Sequence, residues 1–300
     1  MQLAKLLHNP GAGDEAYNEQ EISALVEEGG FKYSYSSVKE ENWKDIDQEA
    51  DLIILSGGDG TIRKVAKFLL DSEQNKKFPI ALLPAGTANN IAKTLNINGS
   101  DKEIISSWHK KNLKAFDVGE IYDVPGVKFF LESFGCGVFP ILMNEMKKQD
   151  EKELDTPEKK LKMAVKLLHE IIQSYEPQFC HIEIDGTDHS GKFLLVEVMN
   201  TRSIGPNLVL SPHADPGDGE FEVVLIPESQ KEKFSEYIES LIKESEEPFM
   251  FDVCKAKNIT IKSNKALTHV DDEVIEEHPP GHIRIELKEG LLDFFIQQEI

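Results

Sequence analysis

"LIILSGGDGTIRKVAKFLL", residues 52–70, sets a continuous apolar run against three glycines, one acid and a threonine. An uninterrupted apolar run of that length reads as a strand buried on both faces, and the spacing after Thr61 reads as a helix. The signature recurs at "FPIALLP" (78–84) followed by "TANNIAKTL" (87–95). Upstream, Leu3, Leu6 and Leu7 run into the turn cluster "HNPGAG" (8–13). Next, Ile22, Leu25 and Val26 keep helical spacing up to Gly29-Gly30, and "FKYSYSS" (31–37) alternates as a strand does. Short buried strands divided by helices predict an α/β domain with a parallel sheet covered on both faces. Such sheets bind ligands beyond the carboxyl ends of their strands.

The texture changes after residue 112. "KAFDVGEIY" (114–122), "VKFFLESFG" (127–135), "QFCHIEIDG" (178–186), "KFLLVEVMNT" (192–201), "EFEVVLIP" (220–227), "FDVCKAKNITIKS" (251–263), "HIRIELKEG" (282–290) and "LLDFFIQ" (291–297) are short, β-rich and punctuated by Gly, Pro and Asp. They predict a β-rich, sandwich-like antiparallel domain, interrupted by helices near 155–175 and 229–244. The division is therefore 1–112 and 113–300, the last strand being a candidate to return to the first domain. The charged stretch 147–160 reads as a loop.

Composition excludes some partners. The 33 basic residues against 54 acidic ones give a net charge of −21, which argues against nonspecific attraction to nucleic acid or to an anionic membrane surface. An anionic ligand must then be held by local features. No stretch approaches the roughly 18 apolar residues that span a bilayer, and the first ten residues break too early for a signal peptide, so the chain reads as cytoplasmic. Cys136, Cys180 and Cys254 are odd in number and widely spaced, which reads as reduced, partly buried thiols with no metal framework.

Three loops carry the chemistry. Gly57, Gly58, Asp59, Gly60 and Thr61 lie between a buried strand and a helix, where glycine permits positive φ and close backbone approach and the helix offers its positive end to phosphate. Taken alone, the loop also fits a tight strand-to-helix turn capped by Thr61 or Asp59. "LLPAGTANN" (82–90) repeats the arrangement, and the two glycine turns converge if their strands are neighbours. "HNPGAG" closes the first strand.

With these residues in hand, the chain resembles the diacylglycerol-kinase-type lipid kinases, a family that includes sphingosine and ceramide kinases and is distantly similar to NAD kinases. The carriers are Asn9-Pro10 with Gly13, GGDGT at 57–61, Pro84-x-Gly86-Thr87-x-Asn89, "DPGDGEFEV" at 215–223 and "HVDDE" at 269–273, in the family's order. The resemblance implies a nucleotide-binding α/β domain, a β-rich lipid-substrate domain and ATP in the cleft. It implies that Gly58, Gly60 and Thr61 cradle phosphate, with Gly57 and Gly86 in the same loops. Asn9, Thr87 and Asn89 are expected beside the nucleotide, and Ser36 or Ser37 stands where the family often has a threonine near it. An acid in a phosphate loop is repulsive unless a cation intervenes, so Asp59 is expected to organise Mg²⁺ brought by ATP.

By the same resemblance Glu273 is the general base toward a lipid hydroxyl, Asp271 its supporting acid, and Asp218 a structural Mg²⁺ ligand beside backbone carbonyls of Asp215 and Glu220. Without the family, "HVDDEVIEEHP" reads as a polar hairpin turn and "DPGDGEFEV" equally as a metal-free turn. The chain departs from the family's pattern at Asp14, Asn90, Arg63 and Asp272. At the last of these an aspartate replaces glycine and is expected to tolerate positive φ. "KKLKMAVKLLHEIIQSY" (159–175) is a basic amphipathic helix, open to membrane-surface docking or to covering its own sheet. His8, His213 and His269 sit beside motifs and are given structural roles.

The expectation is an ATP- and Mg²⁺-dependent lipid kinase acting on diacylglycerol at a membrane surface, peripheral to the bilayer, without a nucleic-acid partner and with homo-oligomerisation left open. A sphingoid-base kinase, an NAD kinase and a catalytically silent nucleotide-binding regulator are the rivals.

Overall fold

The computed structural model describes residues 2–13, 17–72, 76–150, 154, 156–205, 207–243, 251–263, 267–275 and 281–298. Two compact units emerge, 1–117 with 289–300, and 118–288. The chain passes between them at 117/118 and 288/289, five residues beyond the sequence-based division at the first crossing. Within the charged stretch 147–160, residues 151–153 and 155 lie outside the described residues, as does Asp14.

In the first unit β1 (Leu3–His8), α1 (Glu19–Glu28), β2 (Lys32–Ser37), β3 (Leu52–Gly57), α2 (Asp59–Asp71), β4 (Ile80–Pro84), α3 (Asn90–Thr94) and α4 (Asp101–Ser107) follow in order. The strands lie side by side as β4-β3-β1-β2, all parallel. β3 is buried along its whole length, as its unbroken apolar run requires. Asn18 and Ser100 close capping boxes with Glu21 and Glu103, which start α1 and α4. Pairing of Gly57 with Pro84 puts the two glycine turns at the same end of adjacent strands.

β5 (Leu113–Tyr122) leads into the second unit, which continues with β6 (Phe129–Phe130), β7 (Ser133–Gly137), α5 (Val138–Met146), α6 (Pro157–Ser174), β8 (Gln178–Ile184), β9 (Thr187–Asp188), β10 (Gly191–Met199), β11 (Ser203–Ile204), β12 (Leu208–Val209) and β13 (Phe221–Pro227). Then come α7 (Lys231–Ile242), β14 (Val253–Ala256), β15 (Asn258–Ser263), β16 (Thr268–Val270), β17 (Glu273–Ile275) and β18 (Ile283–Phe295). The antiparallel order is β17-β16-β7-β10-β8-β15-β18, with β13 beside both β10 and β14.

Three sequence readings change here. "VKFFLESFG" breaks at 131–132, because the amides there turn onto a carboxylate instead of a strand. "HIRIELKEG" and "LLDFFIQ" form one strand, β18, since Gly290 takes a left-handed φ of 58° within it and its N–H donates to Asp117. "FDVCKAKNITIKS" splits at Lys257 into β14 and β15. The basic helix is α6, and Ala164, Val165, Leu168 and Ile172 are buried in a core shared with α5, α7, β10 and β13. Its apolar face is thus spent within its own unit, while Lys159, Lys162 and Lys166 stay exposed. Among the described residues no helix is long and apolar enough to cross a membrane.

Candidate active site

The parallel strands deliver three loops to one end of the first unit, and the loops are stitched to one another. Asn9 Nδ2 donates to Thr61 Oγ1 at 2.8 Å, and the Asn9 N–H donates to the Ser56 carbonyl. Gly13, at φ 72°, lies so close to Ala85 that a Cβ there would run into the Ala85 carbonyl oxygen. A Cβ on Gly58 would stand 2.8 Å from Gly86 Cα. Asn89, left-handed at φ 54°, accepts the Gly86 N–H through Oδ1 at 2.9 Å and returns Nδ2 to the Gly86 carbonyl at 2.8 Å.

The glycines therefore serve close approach more than unusual dihedrals. Gly58 is extended at φ −98°, and none of Gly57, Gly58, Gly60 and Gly86 has positive φ, so of the two freedoms that glycine permits, Gly57, Gly58 and Gly86 use close approach. α2 begins at Asp59 behind Gly58, and neither Asp59 nor Thr61 makes a capping bond for it. Gly60 and Thr87 are exposed, so the rim of the cluster is open to a ligand.

Asp59 does something the sequence did not suggest. Its carboxylate accepts the N–H of Asn90 at 2.9 Å and of Ile91 at 3.1 Å, and so caps α3 from another element. The residue is half-buried with the carboxylate turned inward, and burial raises its pKa against the opposing pull of the Ile91 and Asn90 amides and the Lys93 charge. As oriented, Asp59 holds the second loop in place and is not an open metal ligand. Asn90, a departure from the family's pattern, is 2% exposed and belongs to this cap. Arg63 is half-buried.

Ser36 and Ser37 are less accessible than the resemblance implies. Ser36, 5% exposed, accepts Lys5 Nζ at 2.8 Å, and Ser37 Oγ accepts the Lys39 N–H at 3.3 Å. Burial lowers the pKa of Lys5. Lys39 itself was not singled out in the sequence. Its ammonium lies over Gly11, where a Cβ would meet Nζ at 2.5 Å.

In the second unit the late acidic motif is the turn between β16 and β17. Val270 pairs with Glu273, Asp271 takes φ 49°, and Asp272 is exposed without positive φ. The left-handed position thus falls one residue earlier than expected, on an aspartate that tolerates it. The Asp271 carboxylate accepts N–H groups of Leu131 at 3.1 Å, Glu132 at 2.8 Å and Ser133 at 3.2 Å. Asn200 holds the same segment from its other side, donating Nδ2 to the Leu131 carbonyl at 2.8 Å. Asp271 is consumed in fixing the turn, whereas Glu273 is exposed. His269, two residues before it, is fully buried and its Nδ1 lies 2.9 Å from the Asp271 carbonyl.

At 215–220 the Asp218 carboxylate accepts the Glu220 N–H at 3.0 Å and Lys255 Nζ at 3.1 Å, and Lys255 also reaches Glu220 Oε2 at 2.9 Å. Asp215 Oδ1 accepts the Gly217 N–H at 3.0 Å. An ammonium from β14 thus provides the positive charge that the resemblance assigns to a metal ion, and the two carboxylates raise its pKa. Among the described residues no three His, Cys, Asp or Glu side chains gather as a metal-ligating group. The donor set does not fit a structural Mg²⁺ held by Asp218 unless Lys255 moves away. Lys255 was legible only through the β13–β14 register, which pairs it with Glu222.

The diacylglycerol kinase catalytic domain matches residues 4–121, and the YegS C-terminal NAD kinase beta sandwich-like domain matches residues 144–294. The chain belongs to the diacylglycerol-kinase-type lipid kinase family, within the NAD-kinase-like superfamily, and it is a lipid kinase. The diacylglycerol kinase of Bacillus subtilis (strain 168) is 25% identical over 252 residues, 78% of this chain and 77% of that one. The diacylglycerol kinase of Staphylococcus aureus (strain Newman) is 24% identical over 301 residues, 94% of this chain and 90% of that one. In fold, the chain is similar to the crystal structure of a diacylglycerol kinase from Bacillus anthracis str. Sterne, with TM-score 0.69, 19% identity and coverage of 98% and 96%. An NAD kinase from Archaeoglobus fulgidus in complex with ATP gives TM-score 0.53 at 14% identity, covering 99% of this chain and 94% of that one.

Proposed function

We propose that the chain transfers the γ-phosphoryl group of ATP to the hydroxyl of diacylglycerol, with the first unit binding the nucleotide and the second the lipid. The observation that carries this reading is the loop cluster at the carboxyl ends of β1, β3 and β4. Asn9, Gly58, Thr61, Gly86 and Asn89 there form one backbone-lined surface at the start of α2, the arrangement that suits a polyphosphate. Phosphoryl transfer asks mainly for positioning and charge stabilisation, which such a surface supplies.

Mg²⁺ bound with ATP would neutralise phosphate charge. Asp59 contributes by holding the second loop, its carboxylate being turned onto Asn90 and Ile91. Lys39, whose ammonium lies over Gly11, is a cation at the first loop that phosphate can draw in. Glu273 takes the proton of the lipid hydroxyl as the new O–P bond forms and the bond from the γ-phosphorus to the bridging oxygen of ADP breaks. The exposed position of Glu273 on a turn fixed by Asp271 supports that role.

The test is transfer of labelled phosphate from ATP to diacylglycerol, a sphingoid base and NAD, each presented separately, the lipids in mixed micelles. Preferential labelling of diacylglycerol, with Glu273→Gln lowering kcat by about 10²–10⁴-fold at unchanged ATP affinity, is the expected result. Labelling of NAD alone, or ATP binding without transfer to any acceptor, overturns it.

A further inference from the structure

Across three strands of the second unit runs a row of Glu197, Gly135 and His269. β10 and β16 flank β7, and Gly135 is the register partner of both Glu197 and His269. All three residues therefore point to one face of the sheet. A Cβ on Gly135 would collide with the Glu197 carboxylate, so only glycine lets Glu197 lie across β7 and reach the histidine. His269 Nε2 stands 2.8 Å from Glu197 Oε1, and both side chains are 0% exposed. The approach is an ion-pair contact without the alignment of a hydrogen bond, and Glu197 Oε2 has no hydrogen-bond partner among the described residues.

A buried ion pair with an unsatisfied oxygen is not a stability device. Desolvating both charges costs several kcal/mol, and apolar side chains of the same volume commonly serve a core as well or better. What distinguishes this pair is its position. His269 lies on β16, the short strand that attaches the Glu273 turn to the sheet through only three residue pairs with β7. Its other nitrogen, Nδ1, meets the carbonyl of Asp271, whose carboxylate accepts three amides at the start of β7. The ring is held edge-on by Phe139 of α5 at 4.9 Å.

We infer that Glu197 and His269 are positioning residues for the lipid-kinase reaction: they form a buried electrostatic latch that holds the turn bearing Glu273 at a fixed height over the sheet. The inference rests on the reading of Glu273 as the base, but part of its test does not. The groups facing the imidazole are Glu197 from β10, the carbonyl and carboxylate of Asp271, and the apolar Phe139 from α5. Burial draws the imidazole pKa down, yet Glu197 and Asp271 together outweigh it and the net direction is up. The latch is thus closed when His269 is protonated and loosens as pH rises through its raised pKa.

Glu197→Gln and His269→Gln are compared with the wild type by steady-state kinetics and by hydrogen exchange. Misplacement of a reacting group by about 1 Å can cost on the order of 10²-fold, so kcat is expected to fall at least tenfold while KM for ATP stays unchanged. Exchange should quicken at 131–133 and 268–275 and stay unchanged at 52–70. Wild-type kcat with unchanged exchange in a folded Glu197→Gln protein overturns the inference, as does faster exchange spread over the whole unit with KM for ATP raised. If neither variant folds, the wild type alone decides. Protection of 131–133 and 268–275, corrected for intrinsic base catalysis, should drop as pH rises through the His269 titration, and pH-independent protection overturns the latch. Should Glu273→Gln prove fully active, the base reading falls, and the exchange data still decide whether the latch exists.

Discussion

The loop cluster of the first unit and the β16–β17 turn of the second solve one problem, holding a short irregular segment still, by different means. The loops at 9–13, 57–61 and 84–90 are locked by backbone meeting backbone, Gly58 against Gly86 and Gly13 against Ala85. The turn at 270–273 is locked by side chains from far along the chain, with Asp271 reaching amides 138–140 positions away and His269 meeting Glu197. A site built on close approach can announce itself through glycine, because only glycine permits it. A site built on buried polar partners announces only half of each pair.

The largest effect is expected at Asp271. Asp271→Ala leaves the amides of Leu131, Glu132 and Ser133 without their acceptor and puts a Cβ residue less suited to φ 49° in the turn. At about 1–3 kcal/mol for each group left unsatisfied, the loss should reach about 3 kcal/mol or more, read as a lower melting temperature together with lost turnover. Asp271→Asn keeps one acceptor oxygen and should lose less. Equal stability of wild type and Asp271→Ala would show that the turn does not depend on its polar anchor.

Gly58→Val comes next. Its Cβ would press on Gly86 Cα, so the two loops must part, with an expected loss of about 1–3 kcal/mol and at least a tenfold weaker ATP affinity by calorimetry. The structure thus adds a stability cost to a substitution that a phosphate loop alone would make purely a binding defect. Unchanged melting and unchanged affinity would remove the stitched-loop account.

Asp59 should show a smaller effect with a pH signature. Asp59→Ala strands the buried amides of Asn90 and Ile91, a loss of about 1–2 kcal/mol. The native pKa is raised above 3.8, so between that value and the raised one the native state binds more protons than the unfolded chain, and the residue's contribution declines as pH rises through this window. Asp59→Asn should flatten that slope in pH-dependent denaturant melts. A slope of unchanged size would assign it to another carboxylate.

The smallest effect belongs to Lys255. The lysine and its partners are partly exposed, so Lys255→Met should cost no more than about 1 kcal/mol. The same substitution leaves Asp218 and Glu220 without their shared cation, and a Mg²⁺-dependent rise in melting temperature should appear in the variant and be absent in the wild type. A Mg²⁺-dependent rise in the wild type that Asp218→Asn abolishes would restore the metal reading.

The sequence alone determined a parallel α/β unit followed by an antiparallel β-rich one, because strand burial and helix periodicity are local patterns of apolar residues. It also located the glycine loops and the late acidic turn. What the acids in those motifs do follows from partners brought up by the fold. Asp59 caps α3, Asp271 seats three amides, Lys255 joins Asp218 and Glu220, and Glu197 spans Gly135 to His269. The division has a physical cause. Glycine and apolar spacing are demands that a segment makes on itself, whereas a buried charge is defined by a partner that strand register, set by the whole sheet, brings beside it.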